Sequence, residues 1–168
     1  MTNHLAGYET PKAPRDGLQR LRDDIHIHAV PAEVRARLAD PTTYDEWLSA
    51  HVRDFSADTE GMRFNLALPG RVEPVRLRRE PLADPYLVAY VRDGDSAVES
   101  ITWALHVEGA HEVHVTVELA YRAAGGLAAV LEPLVHRAHR LQALRDSLWA
   151  LKHRAEAARL AEADAAER

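Results

Sequence analysis

The chain has 168 residues, 46% of them hydrophobic, which is enough for one domain with a real core. Its 21 Lys and Arg against 26 Asp and Glu give a net charge of −5, which argues against a general nucleic-acid binder. The absence of cysteine excludes disulfide frameworks, thiolate metal sites, iron–sulfur clusters and cysteine nucleophiles.

Residues 1–17 read as a flexible arm, rich in turn formers and broken by Pro11 and Pro14. This arm has no apolar signal-peptide core, and no later run approaches the roughly 18 apolar residues of a membrane span. A soluble, cytoplasmic protein is expected. From Leu18 to Ala29, Leu21, Ile25 and Ile27 alternate with polar neighbours, the pattern of a half-buried strand. Pro31 opens a helix, PAEVRARLAD, with Glu33 near its positive end and Val34 and Leu38 on one face. Asp40-Pro41 breaks it, and a second short helix, TTYDEWL, follows with Thr42 or Thr43 as its cap.

The middle of the chain reads as strand after strand. His51–Ala57 is poorly patterned. Gly61–Leu68 places Met62, Phe64, Leu66 and Leu68 on one face, and Pro69-Gly70 turns the chain. Arg71–Glu80 and Pro85–Arg92 follow, with Asp93-Gly94 as the next turn. Val98–Glu108 puts Ile101, Trp103, Leu105 and Val107 on one face. His111–Arg122 does the same with Val113, Val115, Val117, Leu119 and Tyr121. Such meander-like hairpins predict an antiparallel sheet. After Gly125-Gly126 the pattern is helical almost to the end. Leu127, Val130, Leu131, Leu134, Val135, Ala138, Leu141, Leu144, Leu148, Leu151 and Ala155 form an apolar stripe. Pro133 either kinks this helix or marks the start of its regular part. The only element long enough to cover the apolar face of the sheet is this helix, so the fold class is α+β, helix on sheet. A single domain over 18–158 is expected, with 159–168 as a fraying helical tail.

The stretch "IHIHAVPAEVRARLADPTTYDEWLSAHV" resembles the opening of the START-related superfamily, often called SRPBCC. That group includes polyketide cyclase/dehydrase-like proteins, lipid-transfer START domains and birch-pollen-allergen-like proteins. The resemblance rests on Pro31, Asp40, Pro41, Tyr44 and Trp47. It continues in "ESITWALHVEGAHEVHVTVELAYRAAGGLAAVLEPLV" and covers roughly residues 20–156. Arg35 and Arg37 depart from it, where a large apolar residue is expected. The resemblance implies a helix-grip fold: a seven-stranded curved antiparallel sheet wrapped around a long C-terminal helix, with a cavity between them. Members commonly bind or carry apolar molecules, and some cyclise aromatic polyketides.

On that reading the ligand-binding wall comprises Phe64, Leu66, Val75, Leu77, Leu87, Ala89, Ile101, Trp103, Leu105, Val117 and Leu119 from the strands. The helix supplies Leu131, Leu134, Val135, Ala138 and Leu141, and Trp47 sits near one end. The competing reading is a solid core. If the Pro69-Gly70 hairpin is tight, Leu66 pairs with Glu73 and Phe64 with Val75. Glu73, Val91, Glu99 and Tyr121 then share an inward row, with about 10 Å between Glu73 and Glu99. Enolising a polyketone needs such an acid/base pair, so Glu73, Glu99 and Tyr121 are the candidate catalytic groups, against a merely solvated rim.

Ten histidines are present. His26 and His28 share a strand face, and His106 and His114 are placed opposite each other on the last hairpin. His28, His106 and His114 make a weak surface metal candidate, against plain exposed histidines, and no HExxH spacing supports it. His136 and His139 are alternatives facing the cavity. No cofactor is expected. Arg63, Arg76, Arg78 and Arg79 form a small basic patch or a solvated face. Residues 127–158 span about 48 Å as a helix, longer than the domain is wide, so the last turns overhang. Trp149, off the main stripe, points to a homodimer contact, with a monomer as the alternative. The leading expectation is a non-enzymatic binder or carrier of an apolar or amphipathic small molecule of lipid, polyketide or isoprenoid type. A polyketide cyclase/aromatase-like enzyme and a filled-core interaction module are the alternatives. No nucleic acid and no stable membrane insertion are expected.

Overall fold

The computed structural model describes residues 17–123, 125, 126, 129, 130 and 132–166. The expected N-terminal arm, apart from Gly17, lies outside them, as do Leu127 and Leu131 of the apolar stripe. In chain order the elements are β1 (Leu18–Ile27), α1 (Pro31–Ala39), a 3₁₀ turn (Pro41–Glu46), β2 (Val52–Ala57), β3 (Gly61–Leu68), β4 (Arg71–Glu80), β5 (Leu87–Arg92), β6 (Val98–Gly109) and β7 (Glu112–Arg122). A π-helical turn (Glu132–His136) then leads into the long helix α2 (Arg137–Ala166). All seven strands form one antiparallel sheet in the order β1-β7-β6-β5-β4-β3-β2. It curls into a half-barrel around α2, which is the helix-grip arrangement. No helix among the described residues is long and apolar enough to cross a membrane.

Sequence chemistry explains each joint that positions the interior. Pro31 starts α1, whose buried face is Val34, Leu38 and Ala39. Arg35 and Arg37 point away from that face: Arg35 donates to the Pro85 carbonyl, and Arg37 meets Glu46 at 3.6 Å. The 3₁₀ turn is capped by Asp40, not by Thr42 or Thr43. The Asp40 carboxylate accepts from the Thr42 backbone N–H at 3.0 Å and from its hydroxyl at 2.6 Å. Tyr44 and Tyr90 both donate to the Leu38 carbonyl, at 2.7 and 2.9 Å, pinning the end of α1 to the sheet. Burial pushes the Tyr44 phenol well above its ordinary value and the Tyr90 phenol up to about 12, so both remain donors. Trp47 and Trp103 pack edge to face beside them and close one end of the core.

The β3–β4 hairpin is tight, with Gly70 at φ 68° as the turn demands. Its register pairs Leu66 with Glu73 and Phe64 with Val75, as expected, and sets Arg63 opposite Arg76. Strand β5 differs from expectation. Pro85 lies outside it, and Val88 and Tyr90 stand opposite Trp103 and Ile101. Val88 and Tyr90 therefore face the interior, and Leu87, Ala89 and Val91 face the other way. A one-residue offset exchanges the faces of a strand. At the far end of β6, Val107 is exposed.

Pro133 has no N–H to donate and sits in the wide π turn; regular α winding begins at Arg137. The buried face of the helical segment runs through Glu132, His136, Arg140, Ala143, Leu144, Ser147, Leu148, Leu151 and Ala155. This differs from the stripe of apolar letters at its start. Leu134 is 72% exposed and Val130 60% exposed. Ala138 is exposed, while Val135 and Leu141 are half-buried. Ser147 fixes the helix from the other side: its hydroxyl donates to Ala143 and accepts from the Ser49 backbone N–H at 2.9 Å.

Candidate ligand-binding site

Between the sheet and α2 lies an apolar cavity of about 60 Å³. Its walls are Leu48, Val52, Phe64, Leu66, Val98, Ile101, Leu119, Ala143 and Leu144, with Ser147 and Arg140 as the polar members. β3, β6 and β7 deliver their inward residues because their alternation leaves apolar side chains on one face. The volume has room for a few water molecules and falls far short of the roughly 300–1,000 Å³ of pockets that hold drug-sized ligands.

Arg140 carries the electrostatics. It is buried, and its guanidinium grips both oxygens of Glu73 at 2.6 and 2.8 Å while its Nε donates to Glu132 at 3.1 Å. Its guanidinium carbon lies 4.3 Å from the centre of the Tyr121 ring. Arg71, at the mouth of the β3–β4 hairpin, adds a second contact to Glu73 at 3.0 Å. Two buried carboxylates thus meet two guanidiniums, the pairing that makes buried charge tolerable. Burial disfavours the Arg140 cation, but its bonds to Glu73 and Glu132 outweigh that and hold it protonated. Likewise burial would raise the Glu132 carboxyl, yet the Arg140 hydrogen bond, with Tyr121 and His136, brings it below its ordinary value.

The cluster is not fully satisfied. The Tyr121 hydroxyl, Glu132 Oε2 and His136 Nδ1 are buried and make no well-aligned hydrogen bond, but they neighbour one another, with Tyr121 and His136 both acting on the Glu132 carboxylate. His136 Nδ1 stands 3.5 Å from Glu132 in poor geometry for a hydrogen bond, and His136 Nε2 lies 3.3 Å from the Pro69 carbonyl. Burial first, and the neighbouring Glu132 second, push the Tyr121 phenol up to about 12.

No protein-family model and no curated protein sequence matches the chain. Solved structures do. The Zhui aromatase/cyclase from Streptomyces sp. R1128 superposes with a TM-score of 0.64 at 19% identity, covering 83% of this chain and 94% of that one. A START superfamily protein from Mycobacterium smegmatis gives 0.62 at 11% identity, over 82% and 97%. The fold is that of the START-related superfamily. The di-domain aromatase/cyclase BexL of the BE-7585A biosynthetic pathway matches at 25% identity with a TM-score of 0.53, over 80% of this chain and 45% of its own.

Within this START-like frame, Phe64, Leu66, Ile101 and Leu119 line the cavity. Val75, Leu77, Trp103, Leu105, Val117 and Trp47 are buried in the surrounding core. Leu87 and Ala89 turn away with the β5 offset, and on the helix Leu134 and Ala138 are exposed, with Val135 and Leu141 at the margin. Leu131 lies outside the described residues. Of the candidate catalytic groups, Glu73 and Tyr121 are inside, joined through Arg140. Glu99 is not. A β-bulge between Val98 and Ser100 places Val98 opposite Tyr121, and Glu99 pairs with Arg122 at 3.2 Å and Arg92 at 3.6 Å.

Arg140 and Glu132 escaped the sequence reading, which followed apolar letters. Their signal is the spacing Glu132, His136, Arg140, four apart and continuous with Leu144 and Leu148. On the outer face the histidine row is His26, His114 and His106, with His26 taking the place expected for His28. His26, His28 and His114 each lie against a carboxylate, Glu108 at 2.7 Å, Glu112 at 3.5 Å and Asp24 at 2.9 Å. Among the described residues no cluster of His, Asp or Glu has metal-holding geometry, so the surface candidate of His28, His106 and His114 finds no support. In the basic patch, Arg76 pairs with Asp93 at 2.8 Å and Arg78 with Glu80 at 3.2 Å.

Proposed function

We propose that the protein binds an amphipathic small molecule between the sheet and α2, with its apolar body against Phe64, Leu66, Ile101, Leu119 and Leu144. The observation that carries this reading is a buried guanidinium, Arg140, at the wall of a cavity that is apolar apart from it and Ser147. A solid core gains little from a charge at that place, since a buried ion pair is often no more stabilising than well-packed apolar side chains. Burying the ligand's apolar surface contributes about 25 cal/mol per Å². At about 60 Å³ the cavity must widen to take a lipid-, polyketide- or isoprenoid-sized body, so α2 has to shift from β3 and β4 on binding. The START-like and aromatase/cyclase neighbours support the same class of ligand.

The test is native mass spectrometry of the purified protein, repeated after denaturing extraction. A small-molecule adduct that survives gentle ionisation and dissociates on denaturation is the expected result. A bare protein, with no rise in thermal midpoint across a panel of fused-ring and isoprenoid compounds, overturns it.

A second reading, a cyclase/aromatase-like enzyme, is favoured by the buried Tyr121 hydroxyl beside Arg140, which stays protonated and is suited to polarising a carbonyl. The Zhui and BexL neighbours are aromatase/cyclases, which adds to it. Glu73 is held in both oxygens by Arg140 and is no free base. Unchanged turnover of a poly-β-ketone by Tyr121→Phe removes this reading.

A further inference from the structure

The half-barrel has two edges, β1 and β2, and the helix is closed against them differently. Along β1, side chains from Arg137 to Arg159 bond backbone groups and a carboxylate over the length of the strand. On the other side α2 meets the segment Leu48–Val52, which joins the 3₁₀ turn to β2. Among the described residues, the polar and ring contacts across this seam are of three kinds. The Ser49 N–H donates to the Ser147 hydroxyl at 2.9 Å, the His51 and His139 rings stand edge to face at 6.4 Å, and Arg154 meets Glu46 at 3.5 Å in the open. The segment is also the thin side of the cavity. Leu48 and Val52 line it and are only half-buried, whereas every other wall residue is buried. Beyond Val52 the ladder to β3 soon slips, at a bulge between Arg53 and Ser56 where Asp54 takes a φ of 53°.

At about 60 Å³ the closed cavity admits no ligand-sized body, so some part of its wall opens first. Opening at β1 breaks many ties at once. Opening at β4 separates the charges that Arg140 holds against Glu73 and Glu132. Swinging Leu48–Ala50 outward breaks one buried hydrogen bond to α2 and leaves both of those in place. We propose that the ligand enters between α2 and Leu48–Val52, with the Ser49–Ser147 bond as the latch. The proposal rests on the binding reading above and adds its route of entry. A latch acts on rates. The bond forms again once the ligand is inside, so weakening it speeds entry and exit alike and leaves affinity nearly as it was.

The experiment follows uptake of the neutral fluorophore N-phenyl-1-naphthylamine by stopped flow in the full chain. The chain has no cysteine, so Ser49→Cys with Ser147→Cys sets a single disulfide across the seam, checked by mass. Asp23→Cys with Arg145→Cys sets one on the β1 side instead. The oxidised seam pair should lose the uptake that its reduced form shows, and the oxidised β1 pair should keep it. Uptake by the oxidised seam pair as fast as by its reduced form overturns the proposal, as does an equal or greater loss in the oxidised β1 pair. Ser147→Ala needs no crosslink and decides if either pair fails to form. Uptake and release should both quicken about fivefold, the worth of one hydrogen bond, with the dissociation constant nearly unchanged. Unchanged rates, or a changed affinity at an unchanged uptake rate, overturn it. Failure of the fluorophore to bind wild type counts against the binding reading itself, and this inference falls with it.

Discussion

The two flanks of α2 are held by opposite chemistry. Along β1 the helix is laced by contacts spread over more than 20 residues. Arg137 reaches the Arg20 carbonyl at 3.3 Å, Arg145 the Asp23 carboxylate at 2.8 Å and Lys152 the His26 carbonyl at 2.7 Å. Glu156 accepts from the His28 backbone N–H at 2.9 Å, and Arg159 meets the His28 carbonyl at 3.2 Å. Each has access to water, so each is worth little, and Lys152 and Glu156 also pair with each other at 3.0 Å. Toward β4 the helix is held by one buried knot, Arg140 with Glu73 and Glu132. Removing one member there strands the others without solvent. The difference shows how one helix is both anchored and able to give way: many weak ties keep its place along β1, while movement at the cavity turns on the buried cluster and the Ser147–Ser49 bond.

The largest effect expected is at that cluster. Arg140→Met leaves Glu132 buried without its guanidinium and Glu73 with Arg71 alone, and should cost about 3–5 kcal/mol in urea unfolding. Adding Glu73→Leu and Glu132→Leu to the same chain should restore most of the loss. A single substitution as mild as a surface change would erase the contrast between the flanks.

Acid provides the next test. The Glu132 carboxyl titrates below its ordinary value when folded, so it contributes stability above the unfolded value and loses that contribution as pH falls through the folded one. Glu156, on the β1 flank, is lowered too: its burial is outweighed by the His28 N–H and Lys152. Urea midpoints followed from neutral into the acid range should fall less steeply in Glu132→Gln, and to a smaller degree in Glu156→Gln. A variant as acid-sensitive as wild type would exclude that carboxyl from the acid limb.

The smallest effect is expected from Arg145→Ala, about 0.2–1 kcal/mol, because the pair with Asp23 is half open to solvent. High salt should shrink that difference further and leave the Arg140→Met difference almost unchanged, since exposed pairs are screened and buried ones are not.

Much of this was legible from residue order alone. Pro69-Gly70 sets a tight hairpin, and from it the pairings of Leu66 with Glu73 and Phe64 with Val75 follow, because alternation leaves no freedom once a turn is fixed. The same rule explains what was not legible. Nothing local says that β5 sets Val88 and Tyr90 opposite Trp103 and Ile101, or that β6 bulges at Glu99, and each one-residue slip exchanges the faces of a strand. On the helix, apolar letters at Leu134, Ala138 and Leu141 suggested one face, whereas burial follows Glu132, His136 and Arg140. A buried Glu73 arriving from β4 requires a cation, and that long-range demand outranks the local hydrophobic pattern.

The π turn at Glu132–His136 holds one residue more per turn than an α-helix would. Loss of a single codon there would let the segment rewind as α-helix while Arg137–Ala166 stayed in place. Each residue of an α-helix turns it by about 100°. That deletion would leave Glu132 seven residues before Arg140, about 700° or 20° short of two full turns, still on the buried face. A chain one residue shorter at this turn is therefore expected to keep both the fold and the buried pair: the wide turn is a place where the chain can gain or lose a notch with the wall unaltered.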